Sequence, residues 1–407
     1  MLNKIFEHIG TLTDELLDLQ TRLVAIPAIG PLNDGPGEKD KADWLVKRLR
    51  EMDLGPITEI NAPDPKAAAG YRPNIAVVVP GQDSSRTFWV ISHIDVVPPG
   101  DIELWENDPY ILTRDGDKII GRGVEDNHQG MVSSLLLAKA LKDLGIVPPI
   151  NLGLLFVADE ETGSVFGMDY IVREHADMFA RNDLFLVPDF GTASSETVEV
   201  AEKSMCWIKV VTEGKQYHAS TPHEGLNAMV PASDLIVRTR RLYDLFPAKN
   251  DLFDPPLSTF EPTKREANVG NINTIPGRDV FYIDCRVLPE YDLSDVLAEL
   301  RKMADDVQRE YGVTISISTV QKEQAAPPTP EDSDIASRVM EGIRKVYKTT
   351  PRPVGIGGGT VAAVLRRAGF EAVVWSTLRH QAHQPNEYSS IANTFGDAKV
   401  MAAVLMA

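Results

Sequence analysis

Four short apolar runs in this chain each end in a cluster of charged or imidazole side chains, and this pattern constrains the fold more than any other. The clusters are His93 and Asp95 after "TFWVIS", Glu160 and Glu161 after "NLGLLFVAD", Asp189 after "DLFLVP", and His380 with His383 after "AVVWSTL". In an open α/β sheet, the carboxyl ends of the strands border the crevice in which ligands bind. We therefore expect the four clusters to converge at one edge of a sheet.

The segments around these clusters predict two folding units. From about residue 74, β-branched runs alternate with amphipathic helical stretches, which is typical of a layered α/β domain. Near residue 205 this changes to the alternating run "MCWIKVVTEG", Pro-rich joints and the helical "SDVLAELRKMADDVQREYG", and the α/β pattern resumes after "QAAPPTPED". A chain of 407 residues is too long for one ordinary core. We expect a catalytic domain over 1–203 and 321–407, with an inserted α+β unit over 204–320.

Composition excludes several classes of function. The formal net charge of −18 argues against nucleic acid or an anionic membrane as a partner, because both require basic surface. The sequence lacks the run of about eighteen apolar residues that a membrane span needs. Its acidic, amphipathic start does not resemble a signal peptide, so we expect a cytoplasmic protein. Cys206 and Cys285 belong to no CxxC pair and are predicted to be buried core residues.

The clustered residue types indicate a metal centre. Asp126 in "GRGVEDNHQG" is a further candidate ligand, although an aspartate before a helix can simply cap it. Imidazoles and carboxylates without thiolates suit zinc or a similar divalent ion. Five or more such residues exceed the needs of one tetrahedral ion, so we expect two ions that share a bridging carboxylate. Two divalent cations and three ligand carboxylates would leave a slightly positive centre.

Seven motifs occur in the order in which one family carries them: "SHIDVVPPGD", "GRGVEDNHQG", "DEETGS", "YHASTPHEGLNA", "NTIPG" leading to "DCR", "GGGT" and "HQPNE". Over nearly its whole length the chain resembles the dinuclear zinc hydrolases that include acetylornithine deacetylase, succinyl-diaminopimelate desuccinylase, aminoacylase and glutamate carboxypeptidase. The resemblance implies a zinc-peptidase-like catalytic domain with a mixed central sheet flanked by helices. It also implies a ferredoxin-like inserted lid that forms a homodimer.

The resemblance also implies the ligands of two divalent ions, zinc before cobalt or manganese. His93, Asp126 and Asp189 would bind one ion, and Asp126, Glu161 and His383 the other. The peptide bond from Asp126 to Asn127 would be cis. Asp95 would fix the tautomer of His93.

The remaining roles implied by the resemblance concern catalysis and substrate binding. Glu160 would be the general base, moving a proton from the attacking water to the leaving amine. His218 would polarise the carbonyl oxygen from the partner subunit. Asn273, Arg286, Gly358 and Gly359 would hold the carboxylate of the substrate. An ion pair of Arg286 with Asp284 or Glu290 is the simpler alternative.

Some residues have plainer interpretations or depart from the family pattern. His128 lies in an Asn-His-Gln run where Met-Lys-Gly is common, and Val361 stands where aspartate is common. His380 and His383 compete for one ligand role, and only His383 lies in "HQPNE", so we expect His380 to be structural or to support a ligand. We expect Asp159 to help form a turn. The histidines expected to face solvent or occupy ordinary loops are His8, His175 and His223.

The sequence therefore predicts a metallohydrolase that cleaves an amide bond next to an α-carboxylate, in an N-acyl amino acid or a short peptide. An aminopeptidase or dipeptidase that recognises a free α-amine is the alternative. An inactive binding protein of the same fold would lack the base or a ligand, and this chain retains both.

Overall fold

The computed structural model describes residues 1–407, which form two compact units. The first unit comprises Met1–Val200, Pro328–Val354 and Thr360–Ala407. The second comprises Ala201–Pro327 together with Gly355–Gly359. The middle of the chain thus forms a unit of its own, to which the glycine cluster near residue 357 is added. No helix is long and apolar enough to cross a membrane.

The elements are numbered along the chain. Its first part contains α1 (Leu2–Ile9), α2 (Thr13–Ala25), α3 (Lys39–Met52), β1 (Ile57–Pro63), β2 (Tyr71–Val79), β3 (Asp83–His93), β4 (Thr113–Asp115), β5 (Lys118–Ile120), α4 (His128–Asp143), β6 (Ile150–Val157), α5 (Met168–Glu174), β7 (Leu184–Gly191) and β8 (Thr197–Glu202). Its middle contains β9 (Ser204–Glu213), β10 (Tyr217–His218), α6 (Met229–Arg238), α7 (Arg241–Leu245), β11 (Thr259–Arg265), β12 (Thr274–Ile275), β13 (Arg278–Val287), α8 (Leu293–Tyr311) and β14 (Thr314–Glu323). Its last part contains α9 (Asp334–Tyr347), β15 (Arg352–Ile356), α10 (Val361–Arg367), β16 (Ala372–Ser376), β17 (Tyr388–Ser390) and α11 (Ile391–Leu405).

A mixed eight-stranded sheet forms the centre of the fold, as predicted. Its order is β1-β2-β6-β3-β7-β16-β8-β15. The four central strands β6, β3, β7 and β16 are parallel to one another, whereas β2 runs antiparallel to β6 and β8 antiparallel to β16. The strand β6 and the first half of β7 are almost wholly apolar, which is typical of strands buried on both faces.

Helices cover this sheet. Trp89, Phe179, Phe185 and Phe370 form an aromatic cluster on one face, into which α5 and α10 also pack. Successive side chains of a strand point to opposite faces, so the buried Phe88 and Val90 of the same strand require cover on the other face. The helix α4, buried along almost its whole length, packs against β3, β6 and β7.

The second unit is an α+β arrangement with its own core. Its four-stranded sheet has the order β11-β13-β9-β14 and is antiparallel throughout. Helices α6 and α8 contribute Leu235 and Leu300 to a core that also contains Cys206 and Cys285. These two cysteines are opposite one another on β9 and β13 and are fully buried, as predicted.

Candidate metal centre

The four polar clusters lie at one edge of the central sheet, because the strands that precede them are parallel neighbours. His93 is the last residue of β3, and a short 3-10 turn containing Glu160 and Glu161 follows β6. Asp189 lies two residues from the end of β7, and His383 is on the loop after β16. The structure thus brings the predicted ligands together at the carboxyl ends of four strands.

The first group of ligands is His93, Asp126 and Asp189. His93 Nε2 lies 2.9 Å from Asp126 Oδ1 and 3.7 Å from Asp189 Oδ1. The side chain of His93 is buried, and its Nδ1 lies 3.0 Å from the main-chain oxygen of Asp95. When Nδ1 donates its proton there, the lone pair of Nε2 faces the two carboxylates. This is the arrangement that a cation ligand needs.

The second group shares Asp126 with the first. His383 Nε2 lies 3.2 Å from Asp126 Oδ2 and 3.1 Å from Glu161 Oε2. The two carboxylate oxygens of Asp126 therefore face different histidines, His93 and His383. A carboxylate placed in this way can bridge two cations. The peptide bond that follows Asp126 is cis, as the resemblance implied.

The donor set and one unsatisfied atom fit a divalent cation. In each group the possible ligand atoms lie within 4.8 Å of one another. Oε1 of Glu161 is buried and has no hydrogen-bond partner. An unpaired buried acceptor is costly, and a neighbouring cation would offset that cost. Imidazole and carboxylate ligands suit zinc and similar ions.

The ionisation of the site shows how much negative charge it gathers. Burial and the nearby Asp189 raise the pKa of Glu160 well above its usual range. Burial and Asp126 raise the pKa of Glu161 to about 7, against the opposing hydrogen bond from His383. Hydrogen bonds to Asp126 and Glu161 raise the pKa of His383 to about 10. The raised pKa values of the two glutamates thus reflect the crowding of carboxylates, and a bound cation would lower them because ligands bind in their deprotonated forms.

The turn after β6 separates the two adjacent glutamates. Asp159 has a left-handed backbone conformation with φ 67°, and Gly163 follows with φ 110°. The carboxylate of Asp159 accepts hydrogen bonds from the main-chain N–H of Phe166 at 3.0 Å and from Arg72 Nη1 at 3.2 Å. Asp159 therefore helps to form the turn, as expected. It also ties the turn to a buried arginine on β2, whose importance the sequence did not show.

Asp95 contacts the turn after β6 as well as His93. Its two carboxylate oxygens accept hydrogen bonds from the main-chain N–H groups of Glu160 and Glu161, at 3.2 and 3.1 Å. Its Oδ1 also lies 3.4 Å from His93 Nδ1. One buried carboxylate thus joins the end of β3 to the turn after β6.

The unusual Asn-His-Gln run after Asp126 faces the protein interior. Asn127 Nδ2 donates to Asp189 Oδ1 at 2.7 Å, so this side chain positions a candidate ligand. His128 is fully buried, and its Nε2 lies 2.8 Å from Nζ of Lys41 on α3. Burial lowers the pKa of Lys41 to about 7. Sequence reasoning missed Lys41 because nothing near it in the chain marks it as a partner of His128.

A small cavity adjoins the candidate ligands. It has a volume of about 130 Å³, and its lining includes Asp126, Asp189, Phe190, Leu378 and His380. This volume is comparable to the roughly 150 Å³ of an apolar cavity that binds benzene. His380 thus borders the cavity, whereas His383 contacts Asp126 and Glu161, the other candidate ligands of its group.

The other predicted site residues lie in the second unit. His218 on β10 is exposed and pairs with Thr274 of β12, next to Asn273, whose main-chain oxygen accepts from Ala219 N at 2.8 Å. Arg286 donates to Asp284 at 2.8 and 3.0 Å and to the main-chain oxygen of Gly357 at 2.7 Å. The ion pair considered as the simpler alternative for Arg286 is therefore present. Gly358 and Gly359 are exposed beside this oxygen.

A sheet edge that gathers two histidine–carboxylate groups around a shared aspartate is characteristic of a metal-dependent enzyme. Residues 89–407 match the model of a family described as peptidase family M20/M25/M40, and the chain belongs to that family. It is a metallohydrolase whose relatives include peptidases and deacetylases.

Individual relatives place the chain more closely. It is similar to an uncharacterised metallohydrolase of Methanocaldococcus jannaschii, with 38% identity covering 97% of this chain and 99% of that protein. It is 31% identical to an acetylornithine deacetylase of Arabidopsis thaliana, over 74% of this chain and 70% of that protein. The fold matches a crystal structure of the aminopeptidase PepT from Bacillus cereus with a TM-score of 0.77 and 16% identity, covering 97% of this chain and 98% of that one.

Proposed function

We propose that the protein hydrolyses an amide bond next to an α-carboxylate, in an N-acyl amino acid or a short peptide. The observation that carries this proposal is the pair of ligand groups that share Asp126, with Glu160 beside them. The similarity to an acetylornithine deacetylase supports an acylated amino acid as substrate. The adjoining cavity of about 130 Å³ suits a small acyl group or a small side chain.

The ligand set favours two cations, most simply zinc, with cobalt or manganese as alternatives. His93 and Asp189 would hold one ion, Glu161 and His383 the other, and Asp126 would bridge them. When bound, such a pair supplies Lewis acidity to a carbonyl oxygen and to a water molecule. The positive charge would also favour the deprotonated form of Glu160, whose pKa burial otherwise raises.

Glu160 is the proposed general base. Its carboxylate accepts a proton from the attacking water and later donates that proton to the leaving nitrogen. The main-chain N–H of Glu160 donates to Asp95 Oδ1 at 3.2 Å, which fixes the backbone that carries the Glu160 side chain. Glu161, the next residue, lies in one of the ligand groups. The strand ends before these two glutamates and a 3-10 turn follows, so they can serve as base and ligand at the same site.

The test combines metal analysis with one conservative substitution. Glu160→Gln should lower kcat by at least about 10²-fold, because that is the contribution of a positioned general base. Its metal content should equal that of the wild type, because Glu160 is not in either ligand group. Wild-type protein without divalent metal, together with an unchanged kcat in the variant, would refute the proposal. N-acetyl, N-succinyl and N-formyl amino acids and dipeptides are the substrates to compare.

One observation favours a second candidate, an aminopeptidase or dipeptidase that recognises a free α-amine. Asp284 pairs with Arg286 through both of its carboxylate oxygens, so the arginine charge proposed for the carboxylate of the substrate is partly neutralised. Peptides with free and with blocked N-termini separate the two candidates. Faster cleavage of the blocked series supports the deacylase or carboxypeptidase, and faster cleavage of the free series supports the alternative.

A further inference from the structure

Glu387, the last residue of "HQPNE", holds the segment that contains Asp126. It is fully buried. Its Oε2 accepts from Arg122 Nη1 at 2.6 Å and from the main-chain N–H of Gly123 at 2.9 Å. Its Oε1 accepts from the main-chain N–H groups of Glu125 and Asp126 at 2.9 and 3.1 Å. A single carboxylate thus fixes most of the backbone that leads to the bridging candidate ligand.

Glu125, the residue before Asp126, holds the segment that leads to His383. It is 2% exposed, and its two oxygens accept from the main-chain N–H groups of Arg379 and Gln381, the latter at 2.5 Å. Within this segment His380 and His383 have positive φ angles of 59° and 64°. Residues other than glycine adopt this conformation at a cost, so the surrounding contacts must hold it.

Glu387 and Glu125, each with the main-chain N–H groups that it binds, form two clamps between the same two segments, and the clamps are reciprocal. Glu387 lies on the second segment and binds the backbone of the first, whereas Glu125 lies on the first and binds the backbone of the second. On one side of them the same segments pair as strands, with Tyr388 opposite Ile120, and Gly121 N donates to the main-chain oxygen of Glu387 at 3.0 Å. Beyond the end of this backbone pairing, the buried carboxylates of Glu125 and Glu387 accept the main-chain hydrogen bonds between the two segments. Hydrogen bonds to an ionised acceptor are roughly twice as strong as neutral ones.

We propose that Glu125 and Glu387 are positioning residues that set the relative placement of Asp126 and His383 for cation binding. This inference rests on the metal centre of the proposed function. The two glutamates need not contact a cation themselves, because their oxygens already accept hydrogen bonds from the backbone. They act on the two protein segments that must meet for Asp126, Glu161 and His383 to face one point.

The geometry predicts an asymmetry between the two variants. Glu125 holds only the segment that leads to His383, so Glu125→Gln should weaken the cation held by Asp126, Glu161 and His383. Glu387 holds the backbone at Asp126, which both groups share, so Glu387→Gln should weaken both cations. Removal of a group that orients a ligand typically lowers metal affinity by about 10–100-fold. We expect losses in this range, confined to one ion for Glu125→Gln.

The measurement is a calorimetric titration of metal-free protein with Zn²⁺, repeated with Co²⁺ and followed by the visible absorption of the bound cobalt. A merely structural role would weaken both ions equally in Glu125→Gln. A positioning role weakens one ion in that variant and leaves the cobalt absorption of the other ion unchanged. The matched control is Glu199→Gln, at a fully buried glutamate on β8 that accepts from Arg366 at 2.7 Å. It should lower the melting temperature without changing either metal affinity.

Folded variants that bind both ions within about twofold of the wild type would overturn the proposal, since a positioning role predicts at least tenfold. If the glutamine variants do not fold, amide hydrogen exchange of the wild type decides. The N–H groups of Arg379 and Gln381 should be protected in the metal-free protein, and rapid exchange there would overturn the clamp. A wild type that binds no divalent ion would refute the proposed function, while the exchange experiment would still test the clamp.

Discussion

Two arginine–carboxylate pairs of this protein differ in their surroundings. One contacts the turn that carries the proposed base Glu160, and the other contains Arg286, the proposed carboxylate-binding residue. In the first unit, Arg72 is almost fully buried; its Nε donates to Glu38 at 2.6 Å and its Nη1 to Asp159, next to the proposed base. In the second unit, Arg286 and Asp284 form a pair with more than a quarter of each side chain exposed. Removing one partner of a buried pair strongly lowers the free energy of unfolding, because the other charge is left buried and unpaired. An exposed pair contributes little to that free energy and can exchange partners.

The comparison extends to the whole of each region. The proposed metal ligands are held by buried groups that belong to neither ligand group, such as Asp95 and Glu387. The residues expected to contact substrate, such as His218 and Asn273, are exposed, and their side chains bond to close neighbours in the chain. A metal centre requires fixed distances between its ligands, and buried supporting groups provide them. The exposed side chains of the second unit are less constrained.

The largest effect is expected from Asp126→Asn, because both groups of ligands contain this residue. Loss of a group that only orients a ligand costs about 10–100-fold in metal affinity or activity. Loss of the shared ligand itself should exceed this and should abolish tight binding of both ions, as measured by metal analysis after dialysis. Retention of one ion at wild-type affinity would show that Asp126 does not bridge. Asp117→Asn, at a loop residue bonded to Ser390, is the control.

The next largest effect concerns the buried pair. Arg72→Met leaves the carboxylate of Glu38 buried without its partner, which should lower the free energy of unfolding by about 3–5 kcal/mol. Adding Glu38→Gln should recover part of this loss, because the uncompensated charge is then removed. Urea denaturation of the single and double variants measures both values. A double variant that is no more stable than Arg72→Met would mean that the arginine stabilises the turn chiefly through Asp159.

The convergence of the proposed ligands could be predicted from sequence for a physical reason. His93, Glu161, Asp189 and His383 each follow an apolar run, and parallel strands end at the same edge of a sheet. Local pattern and topology together were therefore enough. The mixed sheet was expected from the resemblance, and the structure has it.

The supporting residues could not be predicted in the same way. Lys41 on α3 contacts His128, 87 positions further along the chain, only because the fold packs α3 against this region. Arg72 and Asp159 are separated by the same number of residues. A buried charge leaves no periodic signal in the sequence, since its partner is chosen by packing between distant elements. Glu125 was likewise hidden, because its position beside Asp126 in "GRGVEDNHQG" does not reveal that it faces a different segment.

A partial recovery of activity is expected from mixed variants if the protein forms a homodimer in which His218 acts in the site of the partner subunit. His218→Ala and Glu160→Gln should each be nearly inactive alone. Mixed after dissociation, they should regain about one quarter of wild-type activity, because half of the dimers are hybrids with one complete site each. Activity assays of the mixture measure this. A mixture no more active than its components would place His218 in the site of its own subunit, or outside catalysis.

The smallest effect is expected from Asp284→Asn, which tests the exposed pair. The change should alter the free energy of unfolding by less than about 1 kcal/mol, as for other partly exposed ion pairs. Glu213→Gln, in the more exposed pair with Arg278, is the control. If Arg286 binds the carboxylate of the substrate, release from Asp284 should lower KM for N-acyl amino acids and leave kcat unchanged. A higher KM for peptides with a free N-terminus would instead indicate that Asp284 recognises the amine, because that substrate would then lose its anionic partner.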